Sequence, residues 1–254
     1  METGLKGKSV LVTGGAGGIG KAICRQFAEE GANVAIHYHT SVDDANSLAS
    51  EIGGIAVQAD LRIHSEADEM VRFVVSESGG LDVCVANSGL YPPEHMPLWE
   101  IDEGRWDATV RSNLGVTVNT ARSFLAYAAR TKSGSLVLVG STAGIYGEAG
   151  HSDYAAAKGA ITTGLLLSLK NDVSQLGSVR VNAVAPGWTL TEKKSEMGLD
   201  EGVMERAKAT MALKKLAKPT DVARAIVTLS SDKISGHITG QVIEVAGGME
   251  GRLI

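Results

Sequence analysis

The segment Tyr154-Ala155-Ala156-Ala157-Lys158 sets a phenol and an ammonium four residues apart, which on a helix is one turn along one face. A phenol with its ordinary pKa of about 10 is a poor base near neutral pH. A nearby cation favours the phenolate and lowers that value. Ser141, thirteen residues before the tyrosine, adds a hydroxyl suited to holding a substrate oxygen. Together the three fit proton transfer at a carbon–oxygen bond. Taken alone, a Tyr-x-x-x-Lys pair is a common surface accident, and a glycine-rich loop near the other end of the chain changes its meaning.

Ser9-Val10-Leu11-Val12-Thr13 is short, apolar and β-branched, the pattern of a buried strand. Gly14-Gly15-Ala16-Gly17-Gly18-Ile19-Gly20 follows at once, and Lys21 to Glu30 then carries Ile23, Phe27 and Ala28 at helical spacing. Strand, glycine turn and helix in this order open a dinucleotide-binding unit. Glycine lets the backbone turn tightly beside a pyrophosphate, and the helix start offers N–H groups and a positive dipole end. The run fits two registers, Gly15-x-Gly17-x-x-Gly20 and Thr13-Gly14-x-x-x-Gly18-x-Gly20.

Elements able to position these groups recur along the chain. Strands are predicted at Asn33–His37, Ile55–Gln58, Val83–Ala86, Ser135–Val139, Val179–Val184 and Val242–Val245. Helices are predicted near Asp43–Ile52, Ser65–Glu77, Trp106–Arg130, Tyr154–Leu176 and Thr220–Leu229. The alternation predicts an α/β fold, a doubly wound parallel sheet with helices on both faces. No linker or repeat interrupts the 254 residues, so 1–254 reads as a single domain. Residues 188–216 break the rhythm with a charged stretch and a short helical pattern near Gly202–Thr210. They follow a strand end, where ligands bind in such sheets, and are expected to form a substrate lid. After Lys158 the helix stays apolar or small nearly all round, which predicts cover from a second subunit.

Composition sets bounds. Hydrophobic residues are 44%, enough for a sizeable core, and the net charge of −5 without a basic cluster argues against nucleic acid as a partner. Cys24 and Cys84 lie in apolar segments and are expected as buried free thiols of a reducing compartment. Met1 to Lys6 has no apolar signal core, and no stretch approaches the roughly 18 apolar residues of a membrane span. A cytoplasmic protein is expected.

The chain resembles the short-chain dehydrogenase/reductase family over essentially its whole length. The motifs stand in family order: Thr13 to Gly20, Asp60 after the third strand, Ala86-Asn87-Ser88-Gly89 after the fourth, then Asn113, Ser141, Tyr154, Lys158 and Pro186-Gly187. One departure is that the family's usual Asn-Asn-Ala-Gly is here Ala86-Asn87-Ser88-Gly89. The resemblance implies a Rossmann fold, a homo-oligomer with a tetramer favoured, and hydride transfer between a nicotinamide and a carbonyl or alcohol carbon. It implies that Tyr154 is the general acid or base, and that Lys158 lowers its pKa and holds the nicotinamide ribose. Ser141 is expected to bind the substrate oxygen, and Asn113 to complete the tetrad through an ordered water. It also assigns cofactor contacts: Gly14, Gly18, Ile19 and Gly20 at the pyrophosphate, Asp60 and Leu61 at the adenine, Asn87 and Gly89 along the adenosine ribose and nicotinamide side. Pro186, Gly187 and Thr191 are expected at the carboxamide.

The second strand ends Tyr38-His39-Thr40-Ser41. A carboxylate there would hold the ribose hydroxyls of NAD and repel a 2′-phosphate. Tyr38 stands in its place, Thr40 and Ser41 offer hydroxyls, and His39 offers a partial charge. No arginine lies at this strand end, and Gly17 occupies a loop position often basic in NADP-using members. NADP(H) is favoured, with NAD(H) possible. His37 and His39 share a strand face, but no Cys, Asp or Glu cluster joins them in sequence, and no metal is expected.

The substrate is a small carbonyl or alcohol compound, with Tyr146, Glu148, His151 and Trp188 as candidate contacts beside Ser141. Glu148 and His151 suit sugar or polyol hydroxyls and equally suit a solvated loop. A 3-oxoacyl-(acyl-carrier-protein) reductase is the alternative within enzymes. An acidic carrier calls for a basic docking patch, to which Arg122 and Arg130 are the available contributors. A non-catalytic cofactor-binding sensor is less favoured, since all four catalytic side chains are present.

Overall fold

The computed structural model describes residues 2–192 and 201–249. Among these, seven strands form one parallel sheet: β1 (Ser9–Val12), β2 (Asn33–Tyr38), β3 (Ile55–Gln58), β4 (Val83–Ala86), β5 (Ser133–Val139), β6 (Ser178–Pro186) and β7 (Val242–Val245). Their order is β3-β2-β1-β4-β5-β6-β7. The chain leaves β1 toward β2 and β3, then returns to pair β4 on the other side of β1. This reversal opens a crevice at the carboxyl ends of β1 and β4, where such sheets bind ligands.

The inner strands β1, β4, β5 and β6 are apolar runs because both faces are covered. Val10, Val12, Ile36, Val85, Val137 and Val139 face one layer, with Ile23 and Phe27 of α1 (Gly18–Glu29), Leu48 of α2 (Val42–Ile52) and Ile226 of α10 (Pro219–Ser230). Leu11, Cys84, Leu136 and Leu138 face the other. There they meet Met70 and Val74 of α3 (His64–Ser78), Phe124 of α5 (Val116–Thr131), and Ile161 and Leu166 at and just after the Tyr154 helix. Phe27 and Phe124 are wholly buried, one in each layer, and each contributes about 1.5–3 kcal/mol by leaving water.

The remaining helices are α4 (Glu103–Val110), α6 (Ala143–Tyr146), α7 (Ser152–Ala160), α8 (Leu166–Asp172), α9 (Glu201–Ala209) and α11 (Asp232–Ser235). The single helix expected over Trp106–Arg130 is instead α4 and α5 joined by a π-helical turn, Arg111–Gly115. A second π turn, Ile161–Leu165, joins α7 to α8. Side chains that claim helix carbonyls explain both. Asn113 Nδ2 donates to the Thr109 carbonyl at 3.0 Å, while Thr162 and Thr163 donate to the carbonyls of Lys158 and Gly159 at 3.2 and 2.6 Å. Such insertions loosen the i to i−4 ladder, and π turns of this kind recur at functional sites. Here one carries Asn113 and the other begins three residues after Lys158.

Candidate active site

The Tyr154 helix is held from beneath. Asp153 is buried and accepts hydrogen bonds from Arg105 Nε at 3.0 Å, Thr109 Oγ1 at 2.9 Å and the Tyr154 backbone N–H at 2.9 Å. Burial opposes the carboxylate's charge, yet these bonds prevail and hold its pKa below the ordinary value. An anion in the first turn also complements the helix dipole. The first turn of α7 is therefore pinned to α4, and the tyrosine's position with it. Arg105, Thr109 and Asp153 were not singled out from sequence; only Asp153, at a helix start beside the tyrosine, left a signal there.

Ser141 follows β5 and reaches Tyr154 because α6 lies directly on α7. A β-carbon at Gly144 would collide with the Gly159 backbone nitrogen and lie 2.5 Å from the Lys158 carbonyl carbon. Ser141 Oγ accepts the Ala143 N–H at 3.2 Å and hydrogen-bonds Tyr154. Burial pushes the Tyr154 phenol above its ordinary pKa; the Ser141 bond draws it back, and the Glu148 carboxylate raises it further. Lys158, expected to lower it, is not among these influences. The Lys158 ammonium donates to the Val139 carbonyl at 3.0 Å and stands 5.8 Å from the Tyr154 ring centre. Burial lowers its own pKa from 10.5 to about 8. Asn113 donates to the Leu90 carbonyl at 2.8 Å and accepts the Leu90 N–H at 3.1 Å. A β-carbon at Gly89 would lie 2.7 Å from Asn113 Oδ1 and 3.2 Å from Lys158 Nζ, so both side chains close on the bare face of that glycine. Ser141, Tyr154, Lys158 and Asn113 all line one cleft of about 920 Å³.

Gly14, Gly18, Ile19 and Gly20 line the same cleft. The start of α1 has no side-chain cap and no acidic residue in its first turn, leaving backbone donors and a positive dipole end for an anion. Asn87 ties β4 to the loop, donating from Nδ2 to the Thr13 carbonyl at 2.9 Å. Tyr38, His39, Thr40 and Ser41 line the far end, and Pro186, Gly187, Trp188 and Thr191 line the tyrosine side. A β-carbon at Gly18 would come within 2.8 Å of Thr191, so the missing side chain keeps the gap between loop and threonine open. This donor set and this bare edge fit a dinucleotide with its pyrophosphate on the loop. Asp60 and Leu61 are not on the cleft wall. Leu61 is packed in the core, and the Asp60 carboxylate turns to Arg62, with Arg62 Nη2 at 2.6 Å. Arg62 lines the cleft instead.

His37 supports the loop from below. Its Nδ1 accepts the Gly14 N–H at 3.0 Å, so Nε2 carries the proton and donates to the Ala59 carbonyl at 3.0 Å. Burial lowers its pKa from 6.5 to about 4. The unfolded chain thus binds this proton below pH 6.5 while the folded protein resists it down to about 4. The contribution is full above pH 6.5 and is lost as pH falls from 6.5 to 4, a loss of about 3 kcal/mol. Thermal denaturation across this window is expected to show the decline, and His37→Asn to flatten it. Parallel declines in both proteins would remove His37 as the cause.

On the substrate side Glu148 and Trp188 line the cleft with Leu90 and Tyr91. The Tyr91 hydroxyl donates to Glu148 Oε1 at 2.6 Å. His151 lies behind this wall. It is 6% exposed, stacks on Tyr91 at 4.6 Å, and has Nε2 at 3.2 Å from the Pro92 carbonyl, a buttress for Tyr91. Tyr146 also lies off the wall and donates to Glu244 Oε2 on β7 at 2.9 Å. Of the expected lid, Val203 of α9 lines the cleft along with Trp188, whereas residues 193–200 are outside the described residues.

Comparison with known proteins agrees with this geometry. The family model described as enoyl-(acyl carrier protein) reductase matches residues 14–250. The 3-oxoacyl-(acyl-carrier-protein) reductase of Thermotoga maritima is 36% identical over 252 residues, covering 96% of this chain and 98% of that protein. The proteins of that name from Staphylococcus epidermidis and Staphylococcus aureus are each 34% identical over 247 residues, covering 95% of this chain and 98% of theirs. Matches of this extent place the chain in the short-chain dehydrogenase/reductase family, as an NAD(P)-dependent oxidoreductase acting on carbonyl and alcohol groups.

Proposed function

We propose that the protein is an NADP-linked reductase of a small carbonyl compound, with Tyr154 as its proton donor. The observation that carries this reading is that the Tyr154 phenol, the Ser141 hydroxyl and the buried Lys158 ammonium share one cleft with the uncapped start of α1. The nicotinamide, when bound, supplies or accepts the hydride. Tyr154 gives its proton to the oxygen developing negative charge and takes it back in the reverse direction. Its raised pKa keeps the phenol protonated at neutral pH, which suits reduction. Ser141 holds the same oxygen. Lys158, charged below about pH 8, binds the nicotinamide ribose, and Asn113 orders its surroundings. Gly14, Gly18, Ile19 and Gly20 hold the pyrophosphate, Pro186, Gly187 and Thr191 the carboxamide, and Asn87 and Gly89 the stretch between. Tyr38, His39, Thr40 and Ser41 receive the adenosine ribose, with NADP(H) favoured because that strand end carries no carboxylate. Asp60 and Leu61 shape the adenine side from behind Arg62. Glu148 and Trp188 contact substrate, and residues 188–216 act as its lid.

A second reading is reduction of a 3-oxoacyl group on a carrier protein. The names of the relatives from Thermotoga and Staphylococcus favour it, and Arg122 and Arg130, both exposed on α5, are the candidate docking charges. NADPH oxidation with a small ketone, an aldose and an acetoacetyl thioester separates the two. The first reading expects kcat/KM for the ketone or aldose to exceed that for the thioester. Preference for the thioester would establish the second, and no oxidation with any would overturn both.

The homo-oligomer, with a tetramer favoured, is proposed to assemble through the α7–α8 helix, where Leu167 is 47% exposed; light scattering reads its mass directly. A cytoplasmic site is proposed on the strength of Cys24 and Cys84, both free and buried. Among the described residues no helix is long and apolar enough to cross a membrane.

A further inference from the structure

The favoured cofactor poses a problem of charge. A 2′-phosphate is a dianion that needs a cation, and Tyr38-His39-Thr40-Ser41 supplies no lysine or arginine, nor does the loop from Gly14 to Gly20. The segment that follows the neighbouring strand does. β3 pairs with β2 in parallel register, Tyr38 opposite Gln58, and the Ala59 N–H donates to the Tyr38 carbonyl at 3.2 Å. The chain leaving β3 therefore runs beside the end of β2, and Arg62 lines the same cleft as Tyr38, His39, Thr40 and Ser41.

We propose that Arg62 is the residue that recognises the adenosine 2′-phosphate of NADP, in place of the basic group missing from the end of β2. This rests on the NADP reading above. The guanidinium is set in advance by Asp60. Arg62 Nε lies 2.8 Å from Oδ1, Nη2 lies 2.6 Å from Oδ2, and the Arg62 backbone N–H donates to Oδ1 at 3.0 Å. Asp60 is itself held, its backbone N–H donating to Glu66 Oε2 at 2.6 Å. The fork uses Nε and Nη2 and leaves Nη1 outside it, so one edge of a five-donor group remains for a phosphate. His39 Nε2 stands 3.8 Å from the same Asp60 Oδ2, a ring nitrogen at the same mouth. Opposing charges nearby are those of Asp60 and Glu66, and Asp43 and Asp44 follow Ser41 in the first turn of α2. The Asp60–Arg62 pair is partly exposed, with the arginine side chain 46% accessible. The fork keeps the guanidinium in place while its exposed Nη1 edge faces the solvent from which a dianion arrives.

The decisive experiment is equilibrium binding to the wild type, R62Q and R62K, by fluorescence for NADPH and NADH and by calorimetry for 2′,5′-ADP and 5′-ADP. The last two lack the nicotinamide and isolate the phosphate. R62Q is expected to lose about 10- to 100-fold in affinity for NADPH and 2′,5′-ADP, with NADH and 5′-ADP changed less than about twofold. R62K, which keeps the charge without the fork, is expected to recover part of the loss. Added salt is expected to shrink the wild-type preference for NADPH and to leave R62Q indifferent. In a wild type that prefers NADPH, equal losses for both coenzymes, or no loss for either, would overturn the role of Arg62 alone. A wild type without preference for NADPH would overturn the NADP reading itself, whatever the variants do.

Discussion

Tyr154→Phe is expected to lower turnover by about 10²- to 10⁴-fold, the usual contribution of a positioned proton donor, while NADPH affinity stays within about twofold. The substitution removes one oxygen and almost no volume. The edge-on contact of the ring with Tyr91, 5.1 Å between centres, remains, and so does the Arg105–Asp153–Thr109 anchor that pins the start of α7. Ser141 keeps its bond from the Ala143 N–H. What is lost is the phenol that gives its proton to the substrate oxygen in the proposed arrangement. Steady-state rates together with a binding titration separate the two effects. A variant that keeps its turnover would remove Tyr154 from the chemistry, whereas a variant that fails to bind NADPH would point to a structural role.

Gly20→Ala is expected to weaken dinucleotide binding by at least about 100-fold, with kcat inaccessible for lack of saturation. A β-carbon at residue 20 would overlap the Gly14 carbonyl oxygen and come within 2.8 Å of the Gly15 Cα. These are backbone atoms with little room to yield. Gly14 and Gly15 are tied to His37 through the Nδ1 bond of 3.0 Å and the Gly15 N–H to His37 carbonyl bond of 2.9 Å. The loop must therefore move as a unit and carry its N–H groups out of line with the pyrophosphate. Gly17→Ala is the comparison, because its β-carbon would meet only the Gly14 carbonyl oxygen, at 3.3 Å, and binding is expected to survive. Titration with NADPH checks both. Equal affinity for the two variants would show that close packing at residue 20 does not shape the cradle.

The fold was legible in sequence where its strands are short apolar or β-branched runs. Ile55–Gln58, Val83–Ala86 and Val242–Val245 coincide with β3, β4 and β7 because short β-branched runs bounded by polar or small residues have few other readings. The split helices were not legible. The π turn at Arg111–Gly115 follows from Asn113 turning its amide back to Thr109, a choice that depends on Leu90 arriving opposite. Helical spacing put Tyr154 and Lys158 on one face, but the arrival of Ser141 depends on Gly144 crossing Gly159, a contact between two separate segments. The same limit explains the residues that sit elsewhere than expected. Asp60 and Arg62 are only two apart, a spacing that foreshadows their pairing, yet which of them reaches the cleft is decided by how the chain leaves β3. His151 is drawn beneath Tyr91 by packing that spans 60 residues, and Tyr146 is drawn to Glu244 across 98.

The most direct test of the central claim follows the hydrogen atom itself. The protein is incubated with NADPH carrying deuterium at the transferable position and with whichever carbonyl compound the rate panel selects, and the product is read by mass spectrometry and NMR. The account predicts deuterium on the new carbinol carbon with the wild type, and loss of that product with Tyr154→Phe although NADPH remains bound. Bound NADPH with no deuterium transferred to any carbonyl by the wild type would contradict it.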